Sequence, residues 1–178
     1  WDFRIRSAAN TTGDLVAIQQ QVLSQLQRAN PQPIIVEVVD NPSSFIRRRI
    51  DLTVDVPLFV PDNGALGELF RQGARVAAKG STAVPFTVWI PNSVAQGKRQ
   101  GRLVQFGHGL FGGRGEVDGY LSQLADELGL VFVAADWWGL SNDDRVNVAG
   151  AISEDLEKTT LLVDRLHQAM ANFLVVAE

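Results

Sequence analysis

The segment VQFGHGLFGGRGEV, residues 104–117, contains the residue types whose spacing could do chemistry. Gly107-His108-Gly109 begins a turn, and three more glycines follow Leu110 and Phe111. Glycine lets the backbone turn sharply and lets a ligand approach main-chain N–H groups closely. A helix expected to begin near Glu116 adds unpaired N–H groups and the positive end of its dipole. The loop is therefore predicted to hold negative charge.

Two kinds of negative charge are candidates: a phosphate group, and the oxyanion of an acyl-transfer transition state. From Gly107 onward the sequence matches G-x-G-x-x-G, but a lone match of that pattern is weak evidence for a dinucleotide site. Leu110 and Phe111 are bulky for a phosphate loop. The acidic ribose ligand, expected about 20 residues later, would fall inside the helix. The oxyanion is therefore the favoured ligand.

Strand patterns surround this loop. The short apolar stretches RLVQF and LVFVAAD are predicted strands, and the helix between them is ended by Gly129. Two strands joined by a helix form a crossover unit, which implies a parallel pair and predicts that RLVQF is covered on both faces. Apolar residues mark the helix: Val117, Tyr120, Leu121, Leu124 and Leu128.

Three earlier stretches, PIIVEVV, IDLTVDV and AVPFTVWIP, are also predicted strands. The strict alternation of IDLTVDV is typical of an antiparallel strand with one solvated face. We therefore expect these strands to form an antiparallel edge of the same sheet. The predicted fold class is α/β, with a mixed, mostly parallel sheet flanked by helices.

The remaining elements are a strand and two helices. WDFRIRSA alternates Trp1, Phe3 and Ile5 with polar residues, as a half-buried strand does. Thr11-x-x-Asp14 predicts a helix start, and the helix should end before Asn30-Pro31. Residues 153–178 predict one long amphipathic helix. The apolar face of the first helix is Leu15, Ile18, Val22 and Leu26, and that of the last is Leu162, Leu166, Met170 and Phe173.

Composition limits the classes of function. The chain has 178 residues, which is enough for one domain. Its net charge of −4 gives no indication of a nucleic-acid partner. The absence of cysteine excludes disulfides, thiolate metal sites and a cysteine nucleophile. No apolar run approaches the roughly 20 residues that a membrane span needs.

Two motifs carry a resemblance to a known family. GHGLFGG resembles the His-Gly-X oxyanion turn of α/β-hydrolase lipases and esterases. DWWGLS, residues 136–141, is similar to the Asp-x-x-Gly-x-Ser turn that follows the next strand in many of these enzymes. The order of strands and helices beyond about residue 80 follows the first half of that fold, and the stretch looks like large bacterial lipase-like proteins.

The resemblance implies a role for each residue of the turn. The backbone N–H of Leu110 would point at the developing oxyanion of a carboxylic ester. Gly107, His108 and Gly109 would shape the turn, and His108 would anchor it by hydrogen bonds rather than act as the catalytic base. An ester or lipid-like small molecule is the implied substrate, and no cofactor is expected.

The chain also departs from the family. It contains no G-x-S-x-G, the motif that carries the nucleophilic serine, and the family's acid and catalytic histidine come later still. The last segment, FLVVAE, is apolar and has no cap. We therefore expect residues 1–178 to be the amino-terminal part of a single hydrolase domain, with the catalytic triad on a missing or separate segment.

Within that expected domain, residues 1–80 are an extension and antiparallel edge, and residues 81–178 begin the hydrolase core. This chain alone is expected to be inactive, and the carboxy-terminal part of the same protein is its expected partner. A bacterial secreted or cell-envelope location is favoured. The alternative is a non-catalytic domain that keeps the hydrolase scaffold for binding or assembly.

Several residues near the turn have two interpretations. Phe111 would roof the pocket or pack beside it. Asp136 would cap the next turn or face the cleft, and Trp137 and Trp138 would line an acyl pocket or belong to the core. Gly139-x-Ser141 matches the first half of G-x-S-x-G, the motif of the nucleophilic serine, but a turn or capping role is favoured for Ser141.

His167 and Asp164 lie on one face of the last predicted helix. The simplest interpretation is a solvated pair. A metal site would need further ligands, which the sequence does not offer.

Overall fold

The computed structural model describes residues 7–29, 31–154 and 156–178. The strand predicted at residues 1–6 therefore lies outside the described residues. The strands are β1 (Ile34–Asp40), β2 (Ile46–Pro57), β3 (Arg71–Gln72), β4 (Arg75–Val76), β5 (Ser81–Pro91), β6 (Arg102–Phe106) and β7 (Leu130–Ala135). The helices are α1 (Ala8–Ala29), α2 (Asn92–Ala95), α3 (Ser122–Leu128), α4 (Arg145–Glu154) and α5 (Thr159–Val176). A π-helical turn, Val117–Leu121, leads into α3.

Five strands form one mixed sheet in the order β1-β2-β5-β7-β6, and β3 pairs with β4 separately. β6 and β7 are parallel, as the crossover unit predicts. The pairs β1–β2, β2–β5 and β5–β7 are antiparallel. The α/β class, the mixed sheet and the antiparallel earlier strands are confirmed, but a mostly parallel sheet is wrong for the described strands. Parallel neighbours need a crossover connection, and only β6 and β7 have one.

β6 lies at an edge of this sheet, and Leu103 is 64% exposed. The prediction that RLVQF is covered on both faces is therefore wrong. β7 lies between β5 and β6 and takes the buried central position, where its last four residues are fully enclosed.

The core has one layer on each face of the sheet. On one face, α1 and α5 pack against β2, β5 and β7 through residues such as Ile18, Val54 and Phe173. On the other face, Val117 and Ala125 pack against Trp89 and Phe132. The alternation of β2 is confirmed for residues 54–56, because Val54 and Val56 are buried whereas Asp55 is exposed, but residues 50–53 are all half-buried. Burial of these apolar side chains drives the layering.

Two predicted helices differ from the structure. α1 begins at Ala8, one turn earlier than predicted, because the Ser7 hydroxyl accepts the Asn10 N–H at 3.2 Å and caps the helix. The long helix predicted over residues 153–178 begins later than predicted: α5 starts at Thr159, after a 3₁₀ turn at Leu156–Lys158, and residues 153–154 are the end of α4, a helix that was not predicted.

The predicted apolar face of α5 is correct only in part, since Phe173 is buried in the core whereas Met170 is 37% exposed. The buried stripe instead follows i, i+3, i+4, i+7 spacing from Arg165 through Gln168 and Ala169 to Asn172. Polar side chains can occupy this stripe because they have internal partners. The Gln168 carboxamide, for example, accepts the Phe59 N–H and donates to the Pro57 carbonyl.

Candidate active site

The loops that follow β6 and β7 meet at the carboxyl ends of these two parallel strands. Ligands of open α/β sheets bind at that edge, where loops lead into helices. The first loop is Gly107–Gly113 and the second is Asp136–Asn142; we call them the glycine loop and the tryptophan loop. The residues singled out from the sequence at positions 107–111 and 136–138 are therefore brought together.

His108 connects the two loops: one ring nitrogen bonds to the tryptophan loop and the other bonds within the glycine loop. Nε2 accepts the Trp137 N–H at 2.7 Å, and Nδ1 lies 2.8 Å from the Gly109 carbonyl oxygen. Because Nε2 is an acceptor, the proton of this neutral imidazole is on Nδ1, which donates to Gly109. His108 is buried, so both contacts are shielded from water. This geometry suits a tether and leaves neither nitrogen to accept a substrate proton.

Leu110 occupies the tip of the glycine loop, and its side chain is 69% exposed. Its neighbours use their amides within the site: Phe111 N–H donates to the Leu140 carbonyl at 2.6 Å, and Gly112 N–H donates to the Gly109 carbonyl at 3.0 Å. Across the described part of the chain, no acceptor takes the Leu110 N–H. The loop therefore presents a donor that is flanked on its carboxyl side by two bonded amides.

The sharp turn is made by Phe111, whose φ is 56°, and neither Gly107 nor Gly109 has a positive φ. A left-handed conformation is uncommon for a bulky residue and occurs where surrounding contacts enforce it. The enforcing contacts are the Phe111–Leu140 bond and the bridge between Gly112 and Ser141, where Asn142 N–H donates to the Gly112 carbonyl at 2.9 Å. Gly109 has open space around its α-carbon, which leaves room for close approach.

Asp136 binds the chain that follows the glycine loop. Its Oδ1 accepts the Arg114 N–H at 2.8 Å, and its Oδ2 forms an ion pair with the Arg114 guanidinium. Arg114 Nε also donates to the Thr87 hydroxyl at 3.3 Å. Asp136 therefore occupies the start of the helical segment, where the sequence predicted that an external negative charge would bind.

A cavity of about 510 Å³ lies beside this ion pair. Its polar walls include Asp51, Thr87, Arg114, Asp118 and Asp136. These side chains bond to one another or to neighbours: Thr87 donates to Asp51 at 2.6 Å, and the Trp89 indole donates to Asp118 at 2.6 Å. The cavity thus offers space next to the glycine loop, and the polar side chains in its walls already have hydrogen-bond partners.

Both tryptophans of the second loop have packing partners. The Trp137 ring lies 4.4 Å from the Phe173 ring, centroid to centroid, and joins the core layer formed by α5. The Trp138 ring lies 4.6 Å from the Arg165 guanidinium, a cation–π contact. Their contribution to a substrate pocket, like that of Phe111, stays a prediction.

Ser141 caps the turn that follows the tryptophan loop. Ser141 and Asp144 form a reciprocal capping box, in which Asp144 Oδ2 accepts the Ser141 N–H at 3.3 Å, and the Ser141 hydroxyl also donates to Asp144 Oδ2 at 2.6 Å. Neither histidine bonds to Ser141, which is buried, so its hydroxyl is not activated as a nucleophile. Asp144 itself, with an ion pair to Arg165, is a site residue that sequence reasoning missed. The Ser-x-x-Asp spacing was the available signal.

His167 and Asp164 are placed differently from the predicted solvated pair. Asp164 accepts the Leu69 N–H at 3.1 Å, and His167 Nδ1 is buried with no partner among the described residues. Both side chains line a cavity of about 490 Å³ between α1 and α5, together with Asp14 and Arg71. Asp14 forms a 2.6 Å ion pair with Arg71.

Replacement of Asp164 by asparagine is expected to raise the melting temperature at pH 7. Burial raises the pKa of Asp164 above that of an ordinary aspartate, and Asp14 adds to this, although the Leu69 N–H, His167 and Arg71 oppose it. A raised pKa means that folding favours the protonated carboxyl, so its stabilising contribution is lost as the pH rises through the folded-state pKa. Asparagine stays neutral and can still accept the Leu69 N–H. Thermal unfolding at several pH values measures the difference, which should vanish below about pH 4.

Asp14→Asn is the matched control with the opposite sign. The hydrogen bond from Arg71 lowers the pKa of Asp14, so its carboxylate stabilises the fold above the unfolded pKa and loses this effect in acid. Asp14→Asn should therefore melt below wild type at neutral pH. Equal shifts in the same direction for both variants would contradict the assignment.

Metal and membrane sites can be assessed within the described ranges. Among residues 7–29, 31–154 and 156–178, no group of three or more acidic or histidine side chains is arranged to hold a metal ion. No helix in the same ranges is both long and apolar enough to cross a bilayer.

Comparison with known proteins gives no further assignment. No protein-family profile, curated protein or solved structure matches this chain.

Proposed function

We propose that this chain supplies the oxyanion loop of a serine-type carboxylic ester hydrolase with the α/β-hydrolase fold. The observation that carries the proposal is the Leu110 N–H, which has no acceptor in the described chain and lies in a loop held by His108 before it and by Phe111 after it. Preorganised N–H donors of this kind stabilise charge that develops in a transition state.

In the proposed reaction, a serine on another segment attacks the ester carbonyl. The carbonyl oxygen then acquires negative charge, and it receives hydrogen bonds from the Leu110 N–H and from the amide after the nucleophile. His108 is not the base in this scheme, because Nε2 already accepts the Trp137 N–H. The base, which comes with the acid on the nucleophile's segment, takes the serine proton and gives it to the alcohol as the ester C–O bond breaks. Water then hydrolyses the acyl-serine, and the serine regains a proton.

The open edge of β6 supports the presence of such a segment. Leu103 is exposed on one face of this edge strand. Tyr120 and Leu124, in the helical segment that follows the glycine loop, are exposed as well.

We place the nucleophile on a strand that pairs in parallel with this edge. Such a strand would end beside Gly107–Gly109, since the carboxyl ends of parallel neighbours share one edge of the sheet. It would also pair the open edge of β6. By this proposal residues 1–178 alone do not hydrolyse esters, because they lack the G-x-S-x-G nucleophile motif.

Labelling with a fluorophosphonate tests the proposal. The full-length protein should react at one serine outside residues 1–178, and excess short-chain p-nitrophenyl ester should slow the labelling. Residues 1–178 expressed alone serve as the control and should stay unlabelled. A full-length protein that neither labels nor hydrolyses esters would favour the non-catalytic binding or assembly domain.

A further inference from the structure

The conformation of the tryptophan loop depends on one buried carboxylate. Asp144 has 0% exposure, and its Oδ2 accepts three hydrogen bonds from the loop. The donors are Gly139 N–H at 2.7 Å, the Ser141 hydroxyl at 2.6 Å and Ser141 N–H at 3.3 Å. A charged acceptor with several donors holds its partners more firmly than neutral pairs do.

The position of Asp144 is set in turn by α5. Arg165 Nε forms an ion pair with Asp144 Oδ1, and both side chains are almost fully enclosed. The guanidinium also lies on the face of Trp138, the residue before Gly139. The tryptophan loop is therefore held between a helix in the core and the carboxylate that follows the loop.

The tryptophan loop in turn holds the glycine loop. The Leu140 carbonyl, between the two residues bound by Asp144, accepts the Phe111 N–H at 2.6 Å. Asn142 N–H, the next amide after Ser141, donates to the Gly112 carbonyl at 2.9 Å. Leu110 directly precedes Phe111, so a displacement of residues 139–141 would change the direction of the Leu110 N–H.

We propose that Asp144, acting through Ser141 and the Leu140 carbonyl, is a positioning residue that sets the direction of the Leu110 N–H. It does not touch the substrate. This inference rests on the proposed ester hydrolase function. It adds that the oxyanion donor is aligned by a link to the core helix α5 as well as by the His108 tether.

Two variants test the link in the full-length protein. Ser141→Ala removes the hydroxyl that bonds to Asp144, and Asp144→Asn removes the charge. Each should lower kcat per fluorophosphonate-labelled site about 10- to 100-fold with KM unchanged, because small misplacements of catalytic groups have effects of this size. Normalisation to labelled sites removes any loss of folded protein. Ser141→Thr keeps a hydroxyl and should recover most of kcat.

Ser93→Ala is the matched control. Ser93 is a buried serine whose hydroxyl donates to the Asp126 carbonyl at 2.6 Å, at the opposite end of the parallel strands. It should keep the wild-type kcat even if stability falls. Amide hydrogen exchange in residues 107–113 gives a second readout and should accelerate in Ser141→Ala but not in Ser93→Ala.

The outcomes separate the two proposals. An active wild type with unchanged kcat per labelled site in both Ser141→Ala and Asp144→Asn overturns the positioning role and leaves the hydrolase proposal intact. A wild type that neither labels nor hydrolyses esters overturns the hydrolase function, and the positioning role with it.

Discussion

Leu110→Pro lowers kcat for ester hydrolysis by about 10²- to 10³-fold in the full-length protein, the usual effect of losing one oxyanion donor. Proline has no N–H, so the change removes the atom that the proposed mechanism uses. The exposed side chain of Leu110 contributes little packing, and its N–H makes no bond within the described chain. The loss is therefore expected in kcat rather than in folding.

Leu110→Ala is the matched comparison, because it removes the same side chain and keeps the N–H. Its kcat should stay near the wild-type value. The measurement is kcat for a chromogenic ester, divided by the fraction of sites that a fluorophosphonate labels at the end point. Equal kcat values for the proline and alanine variants would refute the role of the Leu110 amide.

Arg165→Leu is expected to lower the free energy of unfolding by about 3–5 kcal/mol, as the loss of one partner of a buried ion pair does. Asp144 would keep its bonds to Gly139 and Ser141 but would carry an uncompensated charge at 0% exposure. Addition of Asp144→Asn should recover part of the loss, because asparagine is neutral and can still accept the loop N–H groups. Denaturant unfolding at pH 7 measures both variants.

Arg48→Leu provides the surface comparison. Arg48 pairs with Asp40 at 2.8 Å, but the two side chains are 44% and 49% exposed. Exposed pairs contribute little to stability. Its unfolding midpoint should therefore stay near wild type, and an Arg165→Leu midpoint equal to that of Arg48→Leu would contradict the importance of the buried pair.

Local patterns predicted the elements well where one face of the chain meets the core. β2 and β5 are strands where their apolar stretches predicted them, and the helix after the glycine loop ends at Gly129, whose φ is 70°. These features depend on residues that are close in the sequence, so a short stretch of sequence is enough to predict them. The side of a helix that is buried depends on distant partners, and for this reason the stripe of α5 could not be read from its apolar residues.

The candidate site was found from the sequence only in part. The glycine loop and the tryptophan loop were both singled out, because glycine and turn residues at strand ends are visible in sequence. The ion pair between Asp144 and Arg165 was missed because the two residues are 21 positions apart. In the sequence, an arginine that will be buried on a helix cannot be told from one that will be exposed to solvent. The role of Asp136 as the partner of Arg114 likewise depends on the separation of the two loops.

The sequence by itself determined the α/β class, the strand–helix–strand unit that became β6, α3 and β7, and the place of the glycine-rich turn after a short apolar strand. These follow from periodicity and from backbone preferences of single residues. Only the tertiary structure decided that β6 is an edge, that β7 lies beside β5, and that the Leu110 N–H is left without an acceptor in the described chain. Strand neighbours and hydrogen-bond partners are chosen by burial and pairing across long stretches of chain, which no local pattern encodes.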